Sequence, residues 1–269
     1  MQDWNQRAKQ FSVWLPHLQA ATGVLLEALK TRQPLSKGSI LLDLATGTGE
    51  PAGTLHEQFP ECTVIAVDNA VNMLHMARHR LQASPAGLYL AAMSGQALAL
   101  LENQVDVCVS RFGIMLFDSV DQGLEEIARI LKPRGGLFFT VWSDPERMPS
   151  MKWCHDAFAG KIPDDAMPHL AKATAMGNRK ATQSTLQSCG FDQIEITEHE
   201  LEFVFPDFSA YWECVIHSGI MQPQFEQLPP AQHDDIRQQI ESMAQPFIKQ
   251  GRLQIPHAYL CIRATKAVV

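Results

Sequence analysis

Short apolar runs alternate with helical patterns through the first half of the chain. Residues 39–43 form a run with little polarity, which is typical of a strand buried on both faces of a parallel sheet. Comparable runs recur at residues 62–68 and 88–92, and within 105–118 and 131–142. Because turns and helical spacing separate them, the pattern predicts a doubly wound α/β fold with a mostly parallel sheet.

The second half of the chain is less regular. Residues 143–179 contain four prolines, which indicates an irregular segment. The segment begins at the carboxyl end of the fifth predicted strand, on the edge where open α/β sheets bind ligands. A helix over 180–188 ends at Gly190, and a sixth strand follows over 193–205. Two helices over 208–220 and 231–249 and an alternating strand over 257–265 complete the prediction.

A glycine-rich turn follows the first strand. Gly47 and Gly49 allow a sharp bend and leave no Cβ to block a ligand lying on the backbone. Pro51 fits the first turn of the next helix, since the N–H group there has no intrahelical partner. The pattern predicts a nucleotide-binding turn with a helix N-terminus facing the ligand.

An acid ends the second strand. In doubly wound folds an acid at this position accepts hydrogen bonds from ribose hydroxyls, which makes Asp68 the predicted ribose ligand. By itself Asp68 is equally compatible with a helix N-cap or a turn aspartate. Its spacing from the glycine turn favours the ligand role. Gly47, Gly49 and Ala52 also satisfy the looser dinucleotide pattern, so the turn alone does not separate a nicotinamide enzyme from a methyltransferase.

Four segments in order resemble the class I S-adenosylmethionine (SAM) dependent methyltransferases. They are LLDLATGTGE, VDNAVNMLHMAR, VDVCVSRFGIMLFD and LKPRGGLFFTVW, within residues 34–142. The nearest subgroup resembles the ubiquinone/menaquinone C-methyltransferase type. The resemblance implies a Rossmann-like, seven-stranded, mostly parallel sheet with an antiparallel last strand and a helical cap.

The resemblance also implies a cofactor site for SAM, with S-adenosylhomocysteine (SAH) as the product. Gly47 and Gly49 would lie along the methionine part, Met73 would pack on adenine, and Arg111 and Phe112 would line the site below the sulfonium. The full predicted set is Asp43, Thr46, Gly47, Gly49, Asp68, Asn69, Met73, Ser94, Gly95, Gln96, Arg111 and Phe112.

One position departs from the family pattern. The family usually places an acidic or amide residue after the third strand to hold the adenine amino group, whereas this chain has Ser94. A serine hydroxyl is shorter but can still accept a hydrogen bond. Gly95 and Gln96 follow, and we expect the three together to read the polar edge of adenine.

The same resemblance divides the chain into functional segments. Residues 1–33, with helical spacing interrupted at Pro16, are expected to form a lid over the cofactor or to cover the sheet. Residues 34–142 form the SAM-binding core, and residues 143–179 form an insertion near the substrate. Residues 180–269 complete the core, with an apolar helical cap at about 206–250.

Histidine is the natural general base near neutral pH for an acceptor that must lose a proton. His155 and His169 in the insertion and His217 in the cap are candidates, and Tyr211 is a further donor or acceptor. The residue pattern favours a structural or rim role for each histidine over that of the base. His75 and His79 lie four residues apart on a helix, but no thiol or carboxylate completes a metal set beside them, so we expect no metal site.

Bulk properties narrow the function further. The chain has 269 residues, 46% of them hydrophobic and 19% charged, with a formal net charge of -7, so nucleic acid and anionic membrane are not expected partners. Six cysteines are scattered without a C-x-x-C pair, which indicates a reducing compartment. No signal peptide or membrane-spanning run is evident, so we expect a cytoplasmic monomer or homodimer.

The sequence therefore predicts a SAM-dependent methyltransferase acting on a small, aromatic or quinone-like acceptor. Two alternatives stay open at this point. One is an NAD(P)-dependent oxidoreductase, which the glycine pattern allows. The other is a protein of the same fold that binds SAM or SAH without transferring a methyl group.

Overall fold

A computed structural model describes residues 4–32, 35–82, 86–167, 170–217 and 221–268. The strands are β1 (Ile40–Leu44), β2 (Thr63–Asp68), β3 (Leu88–Ala92), β4 (Val105–Arg111), β5 (Leu131–Trp142), β6 (Phe191–Phe205), β7 (Ile248–Lys249) and β8 (Arg252–Lys266). The helices are α1 (Trp4–Phe11), α2 (Leu15–Arg32), α3 (Ala52–Gln58), α4 (Val71–Arg80), α5 (Val120–Ile130), α6 (Pro149–Phe158), α7 (Leu170–Ala173), α8 (Arg179–Ser188), α9 (Phe208–His217), α10 (Gln222–Phe225) and α11 (His233–Ala244).

All of these strands belong to one sheet. Its order is β3-β2-β1-β4-β5-β8-β6, and the two-residue β7 pairs with β8. The first five strands are parallel, whereas β8 runs antiparallel to both β5 and β6. The predicted mostly parallel sheet with an antiparallel last strand is confirmed, and β7 adds a short strand to the expected seven.

The central strands are buried because their sequences carry apolar residues without alternation. Leu41, Leu42 and Leu44 of β1 are completely or almost completely buried between β2 and β4. A strand covered on both faces by helices shows this pattern. The continuous run therefore predicted both the strand and its central place in the sheet.

The largest differences from the predicted helix and strand ends lie in the last third of the chain. The predicted helix over 231–249 ends earlier, at Ala244, because Pro246 lies in a 3-10 turn that leads into β7. The last strand begins at Arg252, before the predicted residue 257, and pairs with the long β6 along its length. Residues 218–220, the predicted end of a cap helix, lie outside the described residues.

Parallel strands place their carboxyl ends along one edge of the sheet. The order in which successive strands are added to the sheet reverses between β1 and β4. A crevice therefore opens at the carboxyl ends of these two strands. The turn after β1, the ends of β2 and β3, and the segments after β4 and β5 all meet at this edge. The fold thus brings together residues that lie about a hundred positions apart in the sequence.

Candidate active site

A cavity of about 650 Å³ lies along the carboxyl edge of the sheet. One half is lined by residues that follow β1, β2, β3 and β4, and α1 and α2 lie over it. The other half is lined by residues of α6, α9, β6 and β8, together with the end of β5. A volume of this size suits a cofactor-sized ligand together with a small molecule.

The glycine turn forms part of the cavity wall. Gly47 has a positive φ of 55°, and a Cβ built there would meet no atom within 4 Å, so the turn is open to a ligand. Thr46 and Thr48 also line the cavity, and no described residue hydrogen-bonds to the buried Thr48 hydroxyl. An unpartnered buried hydroxyl beside an open turn fits a polar ligand at this point.

Gly49 is placed differently. It is not among the described residues that line the cavity, and a Cβ there would lie 3.0 Å from a methyl group of Leu81 and 3.2 Å from the Cβ of Ala77. Its φ of 94° is also unfavourable for other residues. The structure therefore gives Gly49 a packing role against the end of α4, and its contact with a cofactor stays a prediction.

Asp68 connects the turn after β1 with the turn after β2. Its Oδ2 accepts a hydrogen bond from the Gly47 N–H at 2.8 Å, and its Oδ1 accepts one from the Ala70 N–H at 2.8 Å. Each carboxylate oxygen keeps a lone pair, so Asp68 can also accept hydrogen bonds from a vicinal diol. Burial raises its pKa, and the backbone N–H groups act in the opposite direction. The N-cap of α4 is Ala70, so the N-cap alternative for Asp68 was wrong.

Asp43 lies beneath the glycine turn. Its Oδ2 accepts hydrogen bonds from the Thr46 hydroxyl at 2.5 Å and from the Ala52 N–H at 2.8 Å. Burial raises its pKa to about 7, against the effect of these hydrogen bonds. Within the described part of the chain, Asp43 Oδ1 has no hydrogen-bond partner, and the residue does not line the cavity. Asp43 thus holds the turn from below.

The residues after β2 and β3 form the opposite end of the same half. Asn69, Met73 and Ser94 line the cavity, and Met73 packs against Ala8 of α1. The Ser94 hydroxyl accepts a hydrogen bond from the Gln96 N–H at 3.2 Å, and its own proton remains available to a ligand.

Gln96 and Gly95 shape this loop. The Gln96 side chain accepts a hydrogen bond from the Asp118 N–H at 3.0 Å and donates one to Gln122 at 3.2 Å, so both of its polar ends already have partners. A Cβ on Gly95 would lie 2.2 Å from the ring of Phe117. Both residues line the cavity, and their contacts indicate that they fix the loop under a ligand.

Arg111 ties α2 to the sheet. Its guanidinium donates a hydrogen bond to the Thr22 hydroxyl of α2 at 2.9 Å. Burial lowers its pKa, and the nearby carboxylates of Glu50 and Asp43 oppose this change. Phe112, the next residue, has a φ of 56° and stacks on Trp142 with ring centroids 4.0 Å apart. The two residues form the floor between the halves of the cavity.

The N-terminal helix lies against the same cavity. Trp4, Asn5 and Phe11 of α1 line it, and the rings of Trp4 and Phe11 meet edge to face at 5.6 Å. The Asn72 N–H donates to the Asn5 side chain at 2.9 Å, which joins α1 to α4. These contacts place apolar ring surface over the half of the cavity that is lined by residues after β1, β2, β3 and β4.

Of the predicted general bases, the structure places Tyr211 at the cavity but not His155 or His217. His155 pairs with Asp156 at 3.3 Å and the exposed His217 with Glu213 at 3.1 Å, and neither is among the described residues that line the cavity. His169 lies outside the described residues. Tyr211 is fully buried and lines the cavity, with its hydroxyl 3.9 Å from the Cys154 sulfur. Burial raises its pKa well above the ordinary value.

Two polar residues at the cavity, Ser150 and His257, belong to no recognisable sequence motif. The Ser150 hydroxyl of α6 lies 2.5 Å from Nε2 of His257 on β8, and both residues line the cavity. Desolvation lowers the pKa of His257 to about 4, while its hydrogen bond to the Ile255 carbonyl opposes the shift. Their separation in the sequence conceals the pair, although His257 on an alternating strand facing the core could have been a signal.

Among the described residues, no helix is both long and apolar enough to cross a membrane. Within the same residues, no group of three or more histidine, cysteine, aspartate or glutamate side chains could hold a metal ion.

Known proteins resemble this chain in sequence and in fold. A methyltransferase domain family model matches residues 42–139. A demethylmenaquinone methyltransferase of Bacteroides fragilis is 31% identical over 171 residues, which are 58% of this chain and 68% of that protein. A malonyl-[acyl-carrier protein] O-methyltransferase of Methylococcus capsulatus is 27% identical over 172 residues, which are 63% of this chain and only 58% of that protein.

A solved structure shows the same fold. The phosphoethanolamine N-methyltransferase 2 of Haemonchus contortus, solved in complex with SAM, superposes with a TM-score of 0.58 at 19% identity, covering 91% of this chain and 53% of that one. The resemblance to the ubiquinone/menaquinone C-methyltransferase group is confirmed. The chain belongs to the class I SAM-dependent methyltransferase family, of the ubiquinone/menaquinone C-methyltransferase type.

Proposed function

We propose that the protein transfers a methyl group from SAM to a small, flat, aromatic or quinone-like acceptor. The observation that carries the proposal is Asp68, whose carboxylate holds the Gly47 turn at 2.8 Å and keeps unused lone pairs at the cavity wall. This arrangement suits the two hydroxyls of a ribose. The open turn at Gly47 and the unpartnered Thr48 hydroxyl support the same placement of a nucleoside cofactor.

We call the half of the cavity lined by residues after β1, β2, β3 and β4 the cofactor half, and we assign its residues to the parts of SAM. Thr46, Gly47 and Thr48 would contact the methionine part, and Asp68 and Asn69 the ribose. The adenine would lie between Met73 and the loop of Ser94 to Gln96. Asp43 and Gly49 support these turns, the first through hydrogen bonds and the second through packing.

When bound, SAM supplies a methyl group carried on a sulfonium, and its transfer depends on alignment and on exclusion of water. The chain provides both through its aromatic surfaces. Phe112 and Trp142 form a stacked floor, and Trp4 and Phe11 of α1 cover the cofactor half. We therefore also propose that residues 1–33 act as a lid, and that residues 143–179 and about 206–250 form the acceptor wall.

The composition of the wall favours an uncharged acceptor. Apart from Asp68 and Arg111, the charged side chains described at the cavity have ion-pair partners: Glu50 pairs with Arg80 at 3.0 Å and Asp118 with Lys172 at 3.3 Å. The other half, lined by α6, α9, β6, β8 and the end of β5, is called the acceptor half. Its surface is mainly aromatic, aliphatic and thioether. Such a surface binds a flat apolar molecule through burial and ring contacts.

The sheet order weighs against the nicotinamide alternative. Dinucleotide enzymes of the doubly wound class continue a parallel sheet in the order 3-2-1-4-5-6, whereas here the antiparallel β8 lies between β5 and β6. We propose no oxidoreductase function for this chain.

The test is calorimetric titration of the protein with SAM, SAH and NADH. We expect micromolar binding of SAM and SAH and none of NADH. Asp68→Ala should weaken SAH binding by about 1.5–3 kcal/mol, because charge-assisted hydrogen bonds to the ligand are lost. Asp106→Ala is the matched control, since Asp106 also accepts a backbone hydrogen bond, from Ile40 at 2.8 Å, and lies away from the cavity.

An unchanged SAH affinity in Asp68→Ala would refute the ribose assignment, and binding of NADH alone would refute the proposed cofactor. Once SAH binding is established, release of SAH from SAM in the presence of phenols and quinols tests methyl transfer. Binding without any turnover across such acceptors would instead support the alternative of a protein that binds SAM without transferring a methyl group.

A further inference from the structure

Three polar side chains meet within the acceptor half of the cavity. Ser150 lies on α6, Tyr211 on α9 and His257 on β8, and all three are buried and line the cavity. The Ser150 hydroxyl is 2.5 Å from His257 Nε2, and the Tyr211 hydroxyl is 3.9 Å from the sulfur of Cys154 on the same helix as Ser150. Nδ1 of His257 lies 3.1 Å from the Ile255 carbonyl oxygen.

The hydrogen-bond directions of this cluster follow from the chemistry of each group. A carbonyl oxygen only accepts, so the His257 proton is on Nδ1. The imidazole is neutral near pH 7, since burial lowers its pKa to about 4. Nε2 is therefore an acceptor, and the Ser150 hydroxyl must donate its single proton to it. Ser150 thus faces the cavity only with lone pairs.

The Ser150 lone pairs are open to a ligand group. A serine oxygen that donates one hydrogen bond can accept others, and Ser150 lines the cavity. Its lone pairs can accept a hydrogen bond only from a group that carries a proton. A hydroxyl or N–H of a ligand satisfies them, whereas an ether or a carbonyl oxygen does not.

The surroundings define the rest of the ligand. Phe203 stacks on the His257 ring with centroids 4.1 Å apart, and Trp142 lies 6.2 Å from the same ring. Phe112 continues this aromatic surface beyond Trp142. These rings line the cavity around the Ser150 hydroxyl, an arrangement that binds a flat ring bearing a donor group.

We propose that Ser150, oriented by His257, selects a phenolic hydroxyl on the flat acceptor by accepting its hydrogen bond. Ser150 is the specificity-determining contact, and His257 is a positioning residue that acts through it. The inference rests on the proposed function for the meaning of the ligand as a methyl acceptor. Its hydrogen-bond selectivity can be measured by binding alone.

The experiment compares two probes that differ by one proton donor, 1-naphthol and 1-methoxynaphthalene. Binding is measured by titration with and without saturating SAH, for the unchanged protein and for Ser150→Ala, Ser150→Thr and His257→Gln. Ser143→Ala serves as the matched control, because Ser143 is buried after β5 and is not among the described lining residues.

The unchanged protein and Ser143→Ala should prefer 1-naphthol by about five- to tenfold, the effect of one neutral hydrogen bond. Ser150→Ala should bind the two probes within twofold of each other, and Ser150→Thr should regain at least half of the preference. His257→Gln should reduce the preference, since the Ser150 proton is then less firmly directed away from the cavity. SAH affinity should change by less than twofold in every variant.

Equal binding of the two probes to the unchanged protein would overturn the proposal. So would a full preference in Ser150→Ala, or the absence of any naphthol binding. If SAH does not bind, the proposed function fails, but the probe ratio measured without SAH still decides the role of Ser150. The two failures are therefore distinguishable.

Discussion

The buried His257 should make the protein less stable in mild acid. Its pKa is lowered from 6.5 to about 4, first by desolvation and then by His17, while the Ile255 carbonyl acts in the opposite direction. Below pH 6.5 the unfolded chain takes up a proton on this residue, and the folded chain does not until about pH 4. Stability is therefore lost as the pH falls through this window, with no contribution above it.

The size of the effect follows from the two pKa values. Each unit of difference corresponds to about 1.4 kcal/mol, so the full difference between the 6.5 and about 4 of His257 sets the upper limit. At pH 4.5 the linkage relation gives a loss of about 2.5 kcal/mol in the free energy of unfolding. This is a large part of the stability of a typical domain, about 5–15 kcal/mol.

The assay is urea denaturation followed by circular dichroism at pH 7.5, 6.5, 5.5 and 4.5, with the unchanged protein and His257→Gln. Glutamine keeps an acceptor for the Ser150 hydroxyl but does not titrate in this range. The other histidines, including His17 and His199 with lowered pKa values, are present in both proteins. The difference between the two pH profiles therefore isolates His257.

We expect the unchanged protein to lose about 2.5 kcal/mol more than His257→Gln between pH 7.5 and 4.5. Parallel profiles, within 0.5 kcal/mol or so of each other, would show that His257 titrates normally, and the reasoning from its burial would be refuted. A greater loss in the variant would be equally contradictory, because it would require His257 to gain a proton on folding.

Two further substitutions test the cavity walls. Gly95→Ala should destabilise the protein by about 1–3 kcal/mol and weaken SAH binding, because its Cβ would lie 2.2 Å from the Phe117 ring. Gly23→Ala is the control, since a Cβ there meets nothing within 4 Å, and chemical denaturation with SAH titration measures both. Thr22→Val should cost about 1–3 kcal/mol, because it removes the acceptor that Arg111 contacts at 2.9 Å. Thermal unfolding measures the loss, and an unchanged midpoint would contradict the link between α2 and the sheet.

The fold was predictable where the sequence signal is local. Strands β1, β2, β4 and β5 each contain a mostly apolar run in which most side chains are buried, which is typical of strands covered on both faces. The start of β8 was not predictable in the same way, because Pro256 lacks an N–H and marks a break in a strand pattern. In the structure Pro256 pairs opposite Glu202, within a long antiparallel pairing that only the tertiary fold supplies.

The cofactor half could likewise be predicted from short motifs, while the acceptor half could not. Asp68 follows Gly47 by twenty-one residues, and a hydrogen bond joins them at the ends of adjacent strands. Ser150 and His257 are separated by more than a hundred residues and belong to elements without a motif. Sequence reasoning instead favoured His155 and His217, which the structure places outside the cavity lining.

The two halves of the cavity rest on different parts of the sheet, so we expect the acceptor half to tolerate substitutions that leave the cofactor half unchanged. The cofactor half is fixed by hydrogen bonds among the turns after parallel strands, such as Gly47 to Asp68 and Thr46 to Asp43. The acceptor half is formed by α6, α9 and β8, whose side chains line the cavity. Substitutions at Ser150 should therefore alter acceptor choice while the hydrogen bonds of the cofactor turns persist. The separate measurement of SAH affinity and probe preference tests this independence directly.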